Sequence, residues 1–342
     1  MASRAVVIGP WEYADDAGVP RYEEIGISAA QYGKVLADNP MWGEDRCRVL
    51  TKEEVDTADG VMAALEEEAG RTGAGDVFLV VYVGHGAYWG DVPGAEVHFS
   101  VGSSYDGKPW TWLSSWYLYR AMRLCRADLK VLIADCCYSN MLPHLGNGLD
   151  TLPGVFDDAG QGTCVLTALK DDNIRAWPLG CTELPGELAK CTPFSGHLLD
   201  VLQRGTTDYR PHITLGLLRD AVVSEMRRCR FDHDKPRMLL NDARESRALF
   251  TNRMDAALRE PHPGSPVSAK EWVAALLRGN GCDLEELLQD PRKTGEVVAL
   301  LRTSSREGAA AIAQHLEERA SALFRSHDFA RYWNKAERAL RA

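Results

Sequence analysis

Two apolar segments of this chain end in residues that could share a proton. Val77-Phe-Leu-Val-Val-Tyr-Val83 runs into Gly84-His85-Gly86, and Leu129-Lys-Val-Leu-Ile-Ala134 runs into Asp135-Cys136-Cys137. A thiol attacks a carbonyl carbon as its thiolate, and an ordinary cysteine, with a pKa of ~8.5, is mostly protonated near neutrality. A histidine held beside it can take that proton and later give it to a leaving amine. The oxyanion formed on attack needs fixed donors, and backbone N–H groups serve well. The amides of Gly86 and Cys137 are the candidates, and the glycines flanking His85 allow close approach of backbone and substrate. Alone, Gly-His-Gly reads as a turn and Cys-Cys as a pair of core thiols. Together, at two neighbouring strand ends, they read as a nucleophile and its base.

The segments that must position them alternate between strand and helix. Ala5–Ile8, Cys47–Leu50, Val77–Val83, Val97–Val101, Leu129–Ala134, Cys164–Thr167 and Arg247–Thr251 have strand character. Ser28–Leu36, Ala58–Ala69, Leu113–Cys125, Phe194–Leu202 and Thr214–Cys229 have helical spacing. Val77–Val83 is apolar without alternation, as a parallel strand covered on both faces should be. The pattern predicts an α/β fold with a doubly wound, mainly parallel sheet flanked by helices, with its working site at the carboxyl ends of the strands. Residues 1–252 form this domain. The proline-rich stretch within 253–266 reads as a linker, and 267–342 as a helical tail, opened by the capping-box spacing Ser268-Ala-Lys-Glu271 before Trp272.

Composition narrows the functional classes. The chain has 342 residues, 45% of them hydrophobic and 26% charged, with a net charge of −10. Residues 1–252 hold 25 basic and 36 acidic side chains, so the acid excess sits in the front domain. No basic stripe offsets it, which argues against nucleic acid as a partner. No apolar run reaches the ~18 residues of a membrane span, and no signal-peptide pattern opens the chain, so a cytoplasmic protein with reduced thiols and no membrane partner is expected. There is no G-x-G-x-x-G after the first strand and no G-x-x-x-x-G-K-[ST], so a nucleotide binder is disfavoured. The nine cysteines include no C-x-x-C pair. Cys164, Cys181, Cys191, Cys229, Cys282 and the histidines other than His85 read as core or surface residues, and ligand spacing supports no zinc site.

Val81-Tyr-Val-Gly-His-Gly86 and Val131-Leu-Ile-Ala-Asp-Cys-Cys-Tyr-Ser139 resemble the paired active-site motifs of the caspase and metacaspase clan of cysteine peptidases, in particular its bacterial caspase-homologue branch. The separation of His85 and Cys137 matches the spacing of roughly 50 residues seen in caspases. In the metacaspase-like branch the second motif reads Asp-x-Cys-x-Ser-Gly, so the resemblance makes Cys137 the nucleophile, with Cys136 at the variable position. Alternation along a strand end agrees, because neighbours project to opposite sides. Leu166–Asn173 and Thr192–Leu202 resemble later segments of the same branch, and the likeness extends over about residues 4–252. Asn140 replaces the family's glycine, and Asp135 stands where animal caspases have glutamine.

The resemblance implies a caspase-like fold and a cysteine endopeptidase acting on proteins or peptides. It assigns Asp135 to the pocket for the substrate residue before the scissile bond, selecting Arg or Lys. A second acid is expected near the start of the first helix, but Ile27-Ser28 falls there, and Asp172 is a candidate substitute. No Lys or Arg occurs from Val131 to Leu169, so an enzyme cutting after basic residues would stay uncut in the loop after its nucleophile. No cofactor is expected; metacaspases often need calcium, but no acidic cluster here has the spacing of a calcium loop. The resemblance further implies a role in bacterial immunity or cell death, with the tail either packing as a lid or receiving an activating protein or small-molecule signal. The alternative reading is a catalytically silent scaffold with the same fold.

Overall fold

In the computed structural model, residues 2–89, 96–142, 162–170, 175–254, 290–303 and 309–323 are described. They divide into two compact units, one of residues 1–203, 214–222 and 233–251, the other of 204–213, 223–232 and 252–342.

The first unit is built on a six-stranded sheet. Its strands are β1 (Arg4–Ile8), β2 (Cys47–Val49), β3 (Val77–Val83), β7 (Leu129–Asp135), β8 (Thr163–Thr167) and β10 (Arg237–Asn241), in the order β10-β8-β7-β3-β1-β2. All neighbours are parallel except β10, which runs antiparallel to β8. Every residue of β3 and β7 is buried, which explains their unbroken apolar character. Helix α1 (Glu23–Asp38) packs against β1 and β3. It begins five residues before the expected start, with Glu23 and Glu24 in the first turn, where the helix dipole favours acids. Short helix α2 (Lys52–Val55) follows β2 through a capping box, in which Thr51 and Glu54 each accept from the other's backbone amide. Side chains alternate between the faces of the sheet. Val6, Ile8, Phe78, Val80, Tyr82, Leu132 and Ala134 enter one core cluster with Val61 and Leu65 of helix α3 (Ala58–Gly70) and Leu118 and Met122 of α4 (Ser115–Leu124).

Beside this sheet lies a second, three-stranded antiparallel one, made of β4 (Gly86–Trp89), β5 (Glu96–Phe99) and β6 (Leu113–Ser114). Further along, helix α5 (Pro193–Arg204) is buried over most of its length. Strand β9 (His212–Thr214) leads into helix α6 (Leu215–Arg228), where Thr214 Oγ1 accepts from the Leu217 amide at 3.3 Å. The mainly parallel α/β architecture agrees with expectation, but two strands differ. The sixth strand is Arg237–Asn241, whose half-buried edge position leaves only a short, polar-ended sequence signature. The segment expected as the last strand does form β11 (Ala248–Thr251), but outside the six-stranded sheet.

In the second unit Asn252 ties a loop together. Its Nδ2 donates to the carbonyls of Thr206 (2.9 Å) and Arg210 (3.1 Å), and its Oδ1 accepts from the amides of Thr206 (2.9 Å) and Met254 (3.2 Å). Two helices, α7 (Pro291–Thr303) and α8 (Ala309–Leu323), pack on each other and bury Val298, Leu301, Ala313 and Leu316. Most of the expected linker, and the tail at 267–289 and 324–342, lie outside the described residues. No described helix is long and apolar enough to cross a membrane.

With β3, β7 is one of the two central strands of the six-stranded sheet. Leu132→Ala, at a fully buried position, is expected to cost about 2–5 kcal/mol. Leu124→Ala, on an exposed side chain, should stay within about 0.5 kcal/mol; urea unfolding of both variants measures the contrast.

Candidate active site

The site grows out of the pairing of β3 with β7. Their register sets Val83 opposite Asp135, and the Gly84 amide extends the ladder by donating to the Asp135 carbonyl at 3.1 Å. Carried on by two residues, that register brings His85 to the level of Cys137. The main chains touch there. A Cβ placed on Gly86 would lie 2.1 Å from the Cys137 carbonyl oxygen and 3.1 Å from the Cys136 sulfur, so only glycine allows this approach.

The backbone and ring of His85 are both held. Its carbonyl accepts from the Tyr82 hydroxyl at 2.8 Å and from the Ser100 amide at 3.0 Å, and its amide donates to Ser100 Oγ at 3.3 Å. The ring lies between Tyr13 and Tyr22, with centroids 5.8 and 5.6 Å away. Its Nε2 is 2.7 Å from the Pro20 carbonyl oxygen. A carbonyl can only accept, so Nε2 carries the hydrogen and Nδ1 keeps its lone pair. The loop supplying Tyr13, Pro20 and Tyr22 is clamped by Arg21, whose Nε donates to the Tyr13 carbonyl at 3.0 Å and whose Nη2 pairs with Asp15 at 2.6 Å. Burial lowers the His85 pKa from its ordinary 6.5, opposed by the bond to Pro20. The ring is therefore neutral at pH 7.

The two adjacent cysteines part company. Cys136 is buried in the core with Tyr82 and Phe99, and burial pushes its thiol well up. Cys137 is only half-buried, and its sulfur lies 4.0 Å from the Ala176 carbonyl oxygen. Burial raises its pKa as well, opposed first by the bond to the Ala176 carbonyl and then by the Arg175 charge. The next residue, Tyr138, has left-handed backbone angles (φ 58°, ψ 12°) that a non-glycine residue rarely adopts. Its ring stacks on Tyr88 of β4 at 6.2 Å, which ties the loop carrying Cys137 to the strand that follows His85.

Asp135 points to the opposite face from Cys136, where its carboxylate is 4% exposed. Oδ2 accepts three hydrogen bonds from the start of helix α5: from Thr192 Oγ1 at 2.6 Å, Ser195 Oγ at 2.6 Å and the Ser195 amide at 3.2 Å. No described residue donates to Oδ1, and no described Lys or Arg forms an ion pair with Asp135. Burial raises its pKa and these hydrogen bonds lower it, with burial the larger influence. Ser28, aligned with the expected second acid, lies in this cluster, its Oγ 3.2 Å from Thr192 Oγ1 and accepting from the Thr192 amide at 3.0 Å. A neutral hydroxyl thus occupies that place. Asp172 lies outside the described residues.

Several participants escape the sequence. Pro20 acts through a backbone oxygen, and Ser100 and Tyr82 through bonds to main chain. Thr192 and Ser195, in the segment already singled out, gain meaning only once Asp135 faces them. Cys181, His197 and His233, expected as core or surface residues, are brought together by the fold, with their sulfur and ring nitrogens within 4.8 Å of one another. They come from three separate segments, so no local spacing announces them.

No family model matches the chain, and no curated protein matches it. Among solved structures it is similar to a structural-genomics protein from Geobacter sulfurreducens, with 15% identity and a TM-score of 0.48 over 70% of this chain and 93% of that one. A likeness of that degree carries no inference about activity.

The raised Cys137 pKa has a direct readout. Thiolate is scarce at neutral pH when the pKa lies above the ordinary thiol range, so alkylation of Cys137 by iodoacetamide should be slow at pH 7 and still rising at pH 9. Peptide mass spectrometry across a pH series measures it; a rate already at its plateau at pH 7 would instead reveal a thiolate–imidazolium pair.

Proposed function

We propose that the chain is a caspase-like cysteine endopeptidase in which Cys137 is the nucleophile and His85 its general base, cutting after Arg or Lys. The observation that carries this reading is the contact of the two strand tips at Gly86 and Cys137, beside an imidazole whose Nε2 is engaged by Pro20. That leaves Nδ1 as the atom able to take a proton.

In the proposed reaction Nδ1 removes the thiol proton as sulfur attacks the peptide carbonyl carbon. The C=O electron pair moves onto oxygen, which the Gly86 and Cys137 amides would stabilise. The imidazolium holds its second hydrogen against the Pro20 carbonyl, a charge-assisted bond that steadies the cation. Nδ1 then returns its proton to the departing amine, the C–N bond breaks, and a thioester remains on Cys137. Water, deprotonated by His85, attacks the thioester carbonyl; the released thiolate recovers the proton and the acid product leaves. Both starting groups are neutral in the free protein, so base and nucleophile act in one concerted transfer.

The preference for a basic residue rests on Asp135. It is a buried carboxylate with one oxygen saturated by donors and the other free of them among the described residues. Bringing a guanidinium or ammonium to that oxygen supplies the missing countercharge, while an acidic side chain would meet like charge.

A fluorogenic peptide panel, run with and without calcium, tests the reading. Arg or Lys before the scissile bond should be cleaved and Asp should not, and Cys137→Ala should abolish turnover. Asp135→Asn keeps an oxygen for the Thr192 and Ser195 hydroxyls, so the fold should survive in circular dichroism while kcat/KM for Arg substrates falls on the order of 10²-fold. A preference for Asp, or turnover that persists in Cys137→Ala, sinks the proposal.

The pH profile offers a separate check. A base with a lowered pKa stays unprotonated further into acid, so kcat/KM should hold as pH falls through 6.5 and be lost only below it, at the depressed His85 value. An acid limb centred above 6.5 would contradict the burial of that ring.

A further inference from the structure

Away from the strand tips, a cluster of buried soft donors has no part in the proposed chemistry. We infer that Cys181, His197 and His233 bind a zinc ion.

The donor separations come near those a bound zinc ion requires. Tetrahedral zinc with bonds near 2.0–2.3 Å needs donor atoms about 3.3–3.8 Å apart. The Cys181 sulfur is 3.3 Å from His233 Nε2, and the Cys181, His197 and His233 donors fall within 4.8 Å of one another. The rings of His197 and His233 are tilted by 59° with centroids 5.4 Å apart, so their nitrogens can converge without the rings stacking.

His197 makes the strongest case. It is 1% exposed, and neither ring nitrogen has a hydrogen-bond partner among the described residues. A buried imidazole with both nitrogens unmet is costly; coordination through one of them answers that cost. Cys181 is a buried cysteine, and a metal would hold it as the thiolate. A thiolate together with two imidazoles favours zinc among common divalent ions. The inference does not depend on the peptidase reading. Its bearing on that site is positional: His197 lies on helix α5 two residues beyond Ser195, which donates twice to Asp135. A metal at His197 would fix the turn that holds the carboxylate.

The test uses the full chain, expressed with zinc and purified without chelator. Elemental analysis should find about one zinc per chain, retained in Cys137→Ala and lost at least about 10-fold in Cys181→Ser and His197→Gln. Stripped protein should take up one cobalt ion with a thiolate-to-metal charge-transfer band. Chelation should lower Tm by on the order of 10 °C, restored by zinc. The cobalt spectrum decides the matter even if the variants fail to fold. Wild-type protein with neither zinc nor a thiolate–cobalt band overturns the inference, as does zinc lost with Cys137→Ala. Each readout is independent of turnover, so an inactive protein that still holds zinc defeats the peptidase reading alone.

Discussion

Parallel pairing between β3 and β7 governs everything at the candidate site. Two strands buried on both faces have no freedom to slip, because a shift of one residue would turn Phe78, Val80 and Tyr82 out of the cluster that α3 and α4 complete. The register is therefore fixed by the core, and it delivers His85 and Cys137 to the same level outside it. What remains for the loops is to orient two side chains whose main chains are already adjacent. The bonds from Tyr82 and Ser100 to the His85 backbone perform part of that task, and the Pro20 carbonyl completes it at the ring.

Desolvation acts on three ionisable groups here in a common direction. Burial lowers the imidazole of His85 and raises the thiol of Cys137 and the carboxyl of Asp135. Each change favours the uncharged form. In the proposed reaction the charges on Cys137 and His85 arise together with the substrate. A basic side chain would draw Asp135 toward its anion, and nucleophilic attack would generate imidazolium and oxyanion side by side.

Much of this is legible in the residues themselves, for identifiable reasons. Central parallel strands must be apolar throughout, so β3 and β7 stand out, and the glycines after β3 mark where the chain leaves the sheet. Arg237–Asn241 does not stand out, because an edge strand, half-buried and only five residues long, lacks that signature. Asp135 can be named from the sequence, but not its environment: Thr192, Ser195 and Ser28 meet it across large sequence separations. Pro20 contributes an oxygen common to every residue type, which no composition rule can find. The Cys181, His197 and His233 cluster escapes because metal-ligand motifs are recognised by local spacing, and here folding supplies the proximity.

The left-handed backbone of Tyr138 carries a consequence for how such a chain would evolve or be engineered. Holding a tyrosine in that conformation costs on the order of 1–2 kcal/mol relative to an ordinary backbone, and the stack on Tyr88 offsets part of it. Glycine at that position would relieve the strain and remove the stack, leaving the turn beyond Cys137 free to wander. Selection for thermal robustness and selection for an ordered Cys137 turn would therefore pull this single position in opposite directions.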